Sequence, residues 1–152
     1  MREQCYIDGA WVGTPVFAVN NPATGVELAK VAQLGAEDTT KAVEAAERAF
    51  PAWAKLTGKQ RSNILRKWFE LIIANREDLA LILTSEQGKP LAEALGEVDI
   101  GGAYIEFFAE EARRVYGETI PSQRTDARLL AIKQPIGAVS YTHLTLPTNR
   151  EV

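Results

Sequence analysis

Two side chains in this sequence could in principle act as a nucleophile or a base, because the chain contains one cysteine, Cys5, and one histidine, His143. A nucleophilic cysteine needs a thiolate, which a helix N-terminus or a neighbouring cation favours. Cys5 lies instead in a β-prone N-terminal run, so we interpret it as a buried or incidental thiol. His143 lies in a C-terminal stretch that lacks a nucleophile motif, which favours a surface histidine. Neither residue is assigned a catalytic role.

A group of acidic residues in the last third of the chain could in principle supply paired carboxylates or metal ligands. The group consists of Glu93, Glu97, Asp99, Glu106, Glu110 and Glu111. Like charges four residues apart share a helix face and destabilise it mildly, and a nearby arginine offsets part of this. A solvated charged face is therefore the favoured interpretation. Asp99 is the exception most open to question, because it lies close to the apolar positions of the same helix.

The dipeptide Gly88-Lys89 has only a superficial similarity to a phosphate-binding loop. That loop needs a glycine five positions earlier and a serine or threonine after the lysine, whereas those positions hold Leu83 and Pro90. No G-x-G-x-x-G motif occurs in the sequence. One cysteine also excludes an intrachain disulfide and a thiolate-rich zinc site. The residues therefore predict no catalytic, cofactor-binding or metal-binding position within this chain.

Length and composition place the chain among ordinary globular proteins. It has 152 residues, 46% of them hydrophobic and 24% charged, which fits one domain. The net charge of −3 gives no reason to expect nucleic acid or an anionic membrane as a partner. No apolar run approaches the roughly 18–20 residues that span a bilayer, and the N-terminus lacks the apolar core of a secretory signal. We therefore expect a cytoplasmic protein without nucleic-acid or membrane partners.

The N-terminal residues predict short strands. Asp8-Gly9 lies between two β-prone runs within Cys5–Val12, and this dipeptide tolerates the positive φ angles of a type I′ hairpin turn. Further strands are predicted over Val16–Val19 and from Val26 to near Gly35, separated by the turn-rich segment Asn20–Gly25. The first part of the chain should therefore contain one hairpin followed by two further strands.

A helical pattern begins at Ala36, with acidic residues near its start, and we expect Pro51 to end this first helix. Thr57 and Gln60 have the spacing of a capping box, in which each side chain bonds to the backbone N–H of the other. They should open a second helix, and Asn75 should interrupt it before a further buried stripe. The sequence therefore predicts a layer of helices after the strands.

The longest predicted helix starts at Pro90, after a C-terminal stop at Gly88, and runs to Gly117. Its apolar seam follows spacings of four and three: Leu91, Leu95, Val98, Gly102, Ile105, Ala109, Ala112 and Tyr116. The small residues Gly101-Gly102-Ala103 lie at its centre. Glycine inside a helix costs roughly 1 kcal/mol relative to alanine, so we expect these residues to form a groove for another element.

After Gly117 the sequence becomes extended. Glu118–Ile120 and Arg128–Pro135 are predicted as two strands joined by the polar loop 121–126. Proline cannot donate a ladder hydrogen bond, so Pro135 places the second segment at an edge or an end of a sheet.

Six segments, in order, resemble the N-terminal part of aldehyde dehydrogenases: YIDGAWV, NPATG, GKQRSNILRKWFELI, EQGKPLAEALGEV, GETIP and RLLAIKQPIG. The resemblance is continuous from Cys5 to Val139. Within that superfamily, EQGKPLAEA, FFAEEARRVYGETIP and IKQPIGAV are most similar to succinate-semialdehyde dehydrogenases.

The resemblance implies a fragment of a longer α/β chain. Residues 1–139 would be the N-terminal part of an aldehyde-dehydrogenase-type fold: short N-terminal strands, a helical layer and oligomerisation-arm strands within 118–135. Residues 136–139 would begin the first strand of a Rossmann-like sheet, which therefore stays incomplete. Residues 140–152 do not continue the family pattern, and we interpret them as a non-native tail.

The resemblance also implies a chemistry and its partners. In this family a thiolate attacks the aldehyde, hydride passes to NAD or NADP, and the resulting thioester is hydrolysed. The nucleophilic cysteine, the glutamate base, the Gly-rich cofactor loop and the oxyanion-hole asparagine have no matching positions here, so this chain alone should be inactive. The full-length protein should form a homo-oligomer, a dimer or a tetramer. Some members also bind a cation near positions matching Val19 and either Asp99 or Glu97, and we assign neither acid.

Two alternatives to an N-terminal fragment of a succinate-semialdehyde dehydrogenase remain open. The parent enzyme could act on another aldehyde, of the glutarate-semialdehyde or aminobutyraldehyde type. The chain could also be a short non-catalytic protein that docks on full-length subunits through the arm strands. In the isolated chain, apolar faces would lack their partners, so we expect marginal stability and a tendency to aggregate.

Overall fold

The structure is a computed structural model in which residues 2–139 are described. Six strands and four helices form in this part of the chain. In order they are β1 Cys5–Ile7, β2 Ala10–Val12, β3 Pro15–Asn20, β4 Glu27–Ala32, α1 Ala36–Lys55, α2 Gly58–Ala74, α3 Arg76–Gln87, α4 Leu91–Glu111, β5 Glu118–Ile120 and β6 Leu129–Ala131. The strands pair as three separate antiparallel hairpins, β1–β2, β3–β4 and β5–β6. This mixture of helices and small sheets confirms the predicted α/β class with an incomplete sheet.

The first hairpin forms around the predicted turn. Asp8 has a φ of 51° and Gly9 a φ of 81°, as a type I′ turn requires. The two further predicted strands are confirmed and pair as a second hairpin. Strand β3 extends one residue beyond its predicted bounds at each end, whereas β4 starts at Glu27 and ends at Ala32, before Gly35. Its turn is closed by the side chain of Asn21, whose Oδ1 accepts hydrogen bonds from the backbone of Ala23 at 2.9 Å and Thr24 at 3.2 Å.

Helix α1 begins at Ala36, as predicted, but the prediction that Pro51 ends it is wrong. The helix continues through Pro51 to Lys55. Proline leaves the carbonyl of the residue four positions earlier, Glu47, without its helical donor. Glu47 is exposed, so water can hydrate that carbonyl, and a proline this close to the helix end is tolerated.

The capping box at the start of α2 is confirmed. The backbone N–H of Gln60 donates to Thr57 Oγ1 at 3.3 Å, and the backbone N–H of Thr57 donates to Gln60 Oε1 at 2.8 Å. The break at Asn75 is confirmed as well, since this residue ends α2 and precedes α3. Gly88 ends α3 with a left-handed φ of 76°, and its N–H donates to the carbonyl of Thr84.

Helix α4 spans 21 residues and stops at Glu111, earlier than the predicted end at Gly117. Beyond it the i→i−4 pattern gives way to tighter bonds, such as Arg114 N–H to the Glu111 carbonyl at 2.8 Å. The cause is tertiary. A Cβ atom added to Gly58 would lie 2.4 Å from the Ala112 carbonyl oxygen, so the start of α2 contacts the chain where α4 would have continued.

Helices α2 and α4 run antiparallel and form the main packing contact, with α3 also against α4. Three contacts establish the direction: Gly58 with Ala112, Arg66 with Glu106, and Phe69 with Gly102. The buried apolar residues are small, namely Ala45, Ala80, Ala94 and Ala109, and of these Ala80 and Ala94 are completely inaccessible to solvent. Small residues let the helix backbones approach closely, so this core is narrow and no large side chain is fully buried among the described residues.

The predicted seam of α4 is confirmed in its middle and wrong at its ends. Leu91 and Tyr116 are 46% and 67% exposed, and Tyr116 lies beyond the end of α4. At the centre, Gly102 is buried against Phe69, as expected of a packing groove. Gly101 and Ala103 are exposed instead, since successive helix residues point about 100° apart and cannot share one groove.

The last hairpin confirms the predicted strand Glu118–Ile120 and shortens its partner, predicted over Arg128–Pro135, to Leu129–Ala131. Glu118 pairs with Ala131 and Ile120 with Leu129. Every residue of both strands is exposed. None of the helices in the described part of the chain is both long and apolar enough to span a membrane.

Candidate functional site

Of the two residues that could serve as nucleophile or base, the structure describes only Cys5. Cys5 lies in β1 opposite Val12 and is half-buried. It lies within a strand, whereas a thiolate is favoured at the N-terminus of a helix or beside a cation. His143 lies outside the described residues. We therefore assign Cys5 no role.

Five of the six acidic residues of α4 form ion pairs within the described part of the chain; Glu93 is exposed and is not among them. Glu106 accepts from Arg66 of α2 at 2.7 Å, and Arg114 lies 2.7 Å from Glu111 and 3.7 Å from Glu110. All of these side chains are substantially exposed. Exposed ion pairs of this kind contribute little energy, and they orient carboxylates towards cations instead of towards a substrate. This arrangement agrees with the solvated charged face favoured from the sequence.

Asp99, the acid for which a role other than a solvated surface carboxylate was most open, is paired with an arginine. Arg76 at the start of α3 donates to both of its carboxylate oxygens, from Nε at 2.5 Å and from Nη2 at 2.6 Å. These hydrogen bonds lower the pKa of Asp99 from its usual value of 3.8 and keep it ionised. A general acid needs a raised pKa, so this carboxylate is suited to joining α3 and α4 instead of donating protons.

The possible cation site near Val19 gains no support from the acids. Arg76 occupies Asp99, and Lys89 Nζ is paired with Glu97. Among the described residues there is no cluster of three or more His, Cys, Asp or Glu side chains that could hold a metal ion.

The described residues do not fit a dinucleotide cofactor. Such cofactors bind at the carboxyl ends of parallel strands next to a glycine-rich turn, whereas residues 2–139 contain only antiparallel two-stranded sheets. Gly88 packs closely on Pro22 as a helix terminator, and the Lys89 amine is paired with Glu97. No phosphate cradle forms at this dipeptide.

A polar cleft of about 470 Å³ lies where α2 crosses the end of α4. It is lined by Ser62, Asn63, Arg66, Ala109, Glu110, Arg113, Arg114 and Tyr116. Two of its three arginines are engaged by glutamates, and the third, Arg113, donates to Ser62 Oγ at 3.2 Å. The cleft is therefore a crossing point of helices whose cations are already paired.

The most distinctive surface is an apolar groove of about 340 Å³ on the outer side of α4. It is lined only by Ile100, Ala103, Tyr104, Phe107 and Phe108, which we call the outer stripe. The rings of Phe107 and Phe108 meet edge to face, with centroids 5.3 Å apart. This stripe was not predicted from the sequence, although its spacing of i, i+3, i+4, i+7 and i+8 is the signal of an apolar helix face.

Residues 11–142 match the sequence profile of the Aldehyde dehydrogenase family. The chain is 51% identical over 142 residues to a glutarate-semialdehyde dehydrogenase of Pseudomonas aeruginosa, covering 91% of this chain and 29% of that protein. It is 49% identical over 142 residues to an NADP(+) succinate-semialdehyde dehydrogenase of Escherichia coli (strain K12), covering 91% of this chain and 30% of that protein. The chain thus spans about 30% of the length of these curated relatives.

Solved structures give the same result. A crystal structure of succinate-semialdehyde dehydrogenase from Burkholderia pseudomallei superimposes with a TM-score of 0.85 at 49% identity, covering 90% of this chain and 29% of that one. The described fold is thus similar to about three tenths of such a structure.

Proposed function

The chain belongs to the aldehyde dehydrogenase family, and from that premise we propose that it is the N-terminal segment of an NAD(P)-dependent semialdehyde dehydrogenase. The observation that supports this is identity of about 50% over 142 residues to enzymes named for semialdehydes that carry an acid group. The full-length protein would oxidise succinate semialdehyde to succinate and form a homo-oligomer in the cytoplasm. Residues 1–139 would be the family segment, and residues 140–152 a non-native tail.

Glutarate semialdehyde is the alternative substrate. The identities of 51% and 49% over the same 142 residues are too close to separate the two activities. Both substrates combine an aldehyde with a carboxylate and differ by one methylene, a difference worth only about 1–3 kcal/mol in a pocket. Discrimination therefore depends on residues that shape the aldehyde pocket, and we place those beyond residue 139.

Within the full-length enzyme, this segment would act as scaffold. The paired Asp99 and Arg76, the capped start of α2 and the alanine core hold three helices in a fixed arrangement. The cofactor would supply hydride acceptance, and its binding residues would lie outside residues 2–139, which lack a parallel sheet. The isolated chain should therefore have no dehydrogenase activity.

The direct test is to sequence the locus across codon 139, to express the protein that results, and to measure NAD and NADP reduction with each semialdehyde. We expect family sequence to continue after codon 139 and succinate semialdehyde to be oxidised with the higher kcat/KM. A genuine stop after codon 152 would refute the fragment proposal, and reduction of NADP by the purified 152-residue chain would refute its inactivity.

A second candidate function is a non-catalytic protein that docks on full-length subunits through β5–β6. Its support is the exposure of that hairpin, including Leu130 at 71% and the adjacent Ile132 at 73%. An unpaired strand edge with apolar side chains is a template for pairing with another chain. Stable co-purification of the 152-residue chain with an intact dehydrogenase, lost on Leu130→Lys substitution, would favour this candidate over the fragment.

A further inference from the structure

The turn of the first hairpin holds a dipeptide that can react without an enzyme. Asp8-Gly9 is the only place in the whole sequence where an aspartate or an asparagine is followed by glycine. Glycine has no Cβ atom, so its backbone nitrogen is little hindered as a nucleophile. When that nitrogen attacks the side-chain carboxyl group of the preceding aspartate, a five-membered imide forms. Hydrolysis of the ring can leave the main chain running through the side chain, and the residue is then an isoaspartate.

We propose that Asp8 isomerises spontaneously to isoaspartate, that its contact with Arg48 slows the reaction, and that the product opens the first hairpin. In the first step a bond forms between the Gly9 nitrogen and Asp8 Cγ, while the carboxyl hydroxyl and the proton of that nitrogen leave as water. In the second step water adds to the Asp8 main-chain carbonyl carbon and breaks its bond to the Gly9 nitrogen, which stays on Cγ. One water is released and one is consumed, so the mass is unchanged and no oxidant or reductant is required.

The geometry of the turn leaves both reacting groups accessible. Ile7 pairs with Ala10, so Asp8 and Gly9 are the two central residues of the turn. The hydrogen bond that closes such a turn joins the residues on either side of it and does not use the N–H of the second central residue. The side chain of Asp8 is 65% exposed, so water can reach the imide and open it.

Three of the other four aspartates are protected by helices. Asp38, Asp78 and Asp99 lie within α1, α3 and α4. The backbone nitrogen that follows an aspartate in a helix is held in the helical hydrogen-bond pattern, as the N–H of Thr39 is by the carbonyl of Gly35 at 3.0 Å. Attack on the carboxyl group would break that pattern, so we expect no isoaspartate at these positions.

Asp126 is the matched comparison for Asp8. It lies in the loop between β5 and β6, its side chain is 66% exposed, and Arg124 donates to its Oδ2 at 2.6 Å. It therefore shares the exposure and the arginine partner of Asp8, but the residue that follows it is Ala127. The Cβ atom of alanine hinders attack by its nitrogen, so isoaspartate should accumulate several-fold more slowly at Asp126 than at Asp8.

Arg48 connects the turn to α1 and restrains the reacting carboxyl group. Its Nη2 donates to Asp8 Oδ2 at 2.9 Å. For the imide to form, Cγ must move onto the Gly9 nitrogen and lose one of its oxygens, so this hydrogen bond must break first. Both side chains are more than half exposed, and an exposed pair contributes little energy. Loss of the pair should therefore raise the rate by about two- to fivefold.

The test is to incubate the purified 152-residue chain for several weeks at physiological temperature and neutral pH. Isoaspartate is measured by methyl transfer from S-adenosylmethionine with an isoaspartyl methyltransferase and is located by mass spectrometry of the peptides. We expect the methyl label on the peptide that contains Asp8, and several-fold less on the peptide that contains Asp126. Arg48→Ala should raise the rate at Asp8 by about two- to fivefold, whereas Arg48→Lys should leave it closer to that of the unsubstituted chain.

Two controls separate the effect of the structure from that of the dipeptide. In concentrated urea the contact with Arg48 is absent, so Arg48→Ala and the unsubstituted chain should isomerise at the same rate. Ala127→Gly should bring methyl label to Asp126, because it removes the Cβ atom that hinders attack there. Equal labelling of Asp8 and Asp126 in the unsubstituted chain, or no effect of Arg48→Ala in the absence of urea, would overturn the proposal.

Opening of the hairpin is measured at the one cysteine of the chain. Isoaspartate adds a carbon atom to the main chain of a two-residue turn, which the type I′ geometry does not accommodate. Each strand of this hairpin has only three residues, so the strands should separate and expose the half-buried Cys5. The rate at which a thiol reagent modifies Cys5 should therefore rise with the isoaspartate content.

Asp8→Glu is the control for this last step, since glutamate keeps the carboxylate but cannot form the five-membered imide. Its thiol reactivity should stay constant during the incubation. A rate of thiol modification that does not follow the isoaspartate content would show that the hairpin stays closed and would overturn that part of the proposal. None of these measurements uses dehydrogenase activity, so their outcome is independent of the proposed function.

Discussion

The two long sides of α4 reverse the usual arrangement of apolar residues in a folded globular protein. The inner side is buried and small, with Ala94, Gly102 and Ala109 against its neighbours. The outer side is exposed and large, with Tyr104 and Phe107. Large apolar residues are normally the ones inside, and a contiguous exposed set of them marks an interaction surface. The contrast indicates that this helix is suited to packing between two layers.

Helix propensity is not the source of the difference, because both sides belong to one continuous helix. The inner side owes its burial to close approach of α2, which small residues allow. The outer side carries the apolar residues of the outer stripe, although no other element of the described structure packs on it. Identical substitutions on the two sides should therefore measure packing alone, and the predictions that follow use matched pairs.

The largest effect is expected from charge. Ala94 is completely buried, whereas Ala103 is exposed on the outer side. Ala94→Asp places a carboxylate where it has no partner and should destabilise the chain by about 3 kcal/mol or more. Ala103→Asp should cost only the loss in helix propensity, about 0.5 kcal/mol. Urea unfolding of the 152-residue chain followed by circular dichroism measures both, and equal losses would mean that the two sides are equally buried.

An intermediate effect is expected at the paired glycines. A Cβ atom at Gly102 would already lie 3.4 Å from Ile73 and 3.5 Å from Phe69, whereas one at Gly101 meets no atom within 4 Å outside its own helix. Gly102→Leu should overpack the inner side and lower the stability by about 1–2 kcal/mol net. Gly101→Leu should raise it by about 0.5–1 kcal/mol through better helix propensity. The sign of the change is the observable, and a gain at both positions would argue against close packing of α2 and α4.

Features decided by local chemistry could be predicted from the sequence. Asp8-Gly9 adopts the turn that its dihedral preferences favour, Thr57 and Gln60 cap a helix, and Gly88 ends one. The errors lie where neighbours decide. The local sequence does not show that Pro51 is tolerated inside the helix. The outcome depends on whether water can hydrate the carbonyl that has lost its helical hydrogen bond.

The candidate surface shows a different limit of prediction. The outer stripe could have been predicted from the spacing of its residues. The seam through Leu95 and Ile105 on the other side of α4 has an equally regular spacing of apolar residues, however. Periodicity identifies apolar faces without telling which one a particular neighbour covers. Gly102 discriminates between them only in the structure, where Phe69 and Ile73 lie against it.

The smallest effect is expected at the rim between the two sides of α4, where Asp99 binds Arg76 of α3. Because this pairing lowers the pKa of Asp99 below its usual value of 3.8, its stabilisation is fully present above that value and is lost as the pH falls through the folded-state pKa. Asp99→Asn should therefore lower the urea midpoint at pH 7 and make no difference in strong acid.

Asp126→Asn is the control, since Arg124 also lowers the pKa of Asp126. That pair lies two residues apart and can persist in the unfolded chain, so its loss should change the midpoint less at pH 7. The same pH dependence for both substitutions would show that the Asp99–Arg76 pair does not stabilise the packing of α3 on α4. Only the buried alanine residues would then hold α4 against its neighbours.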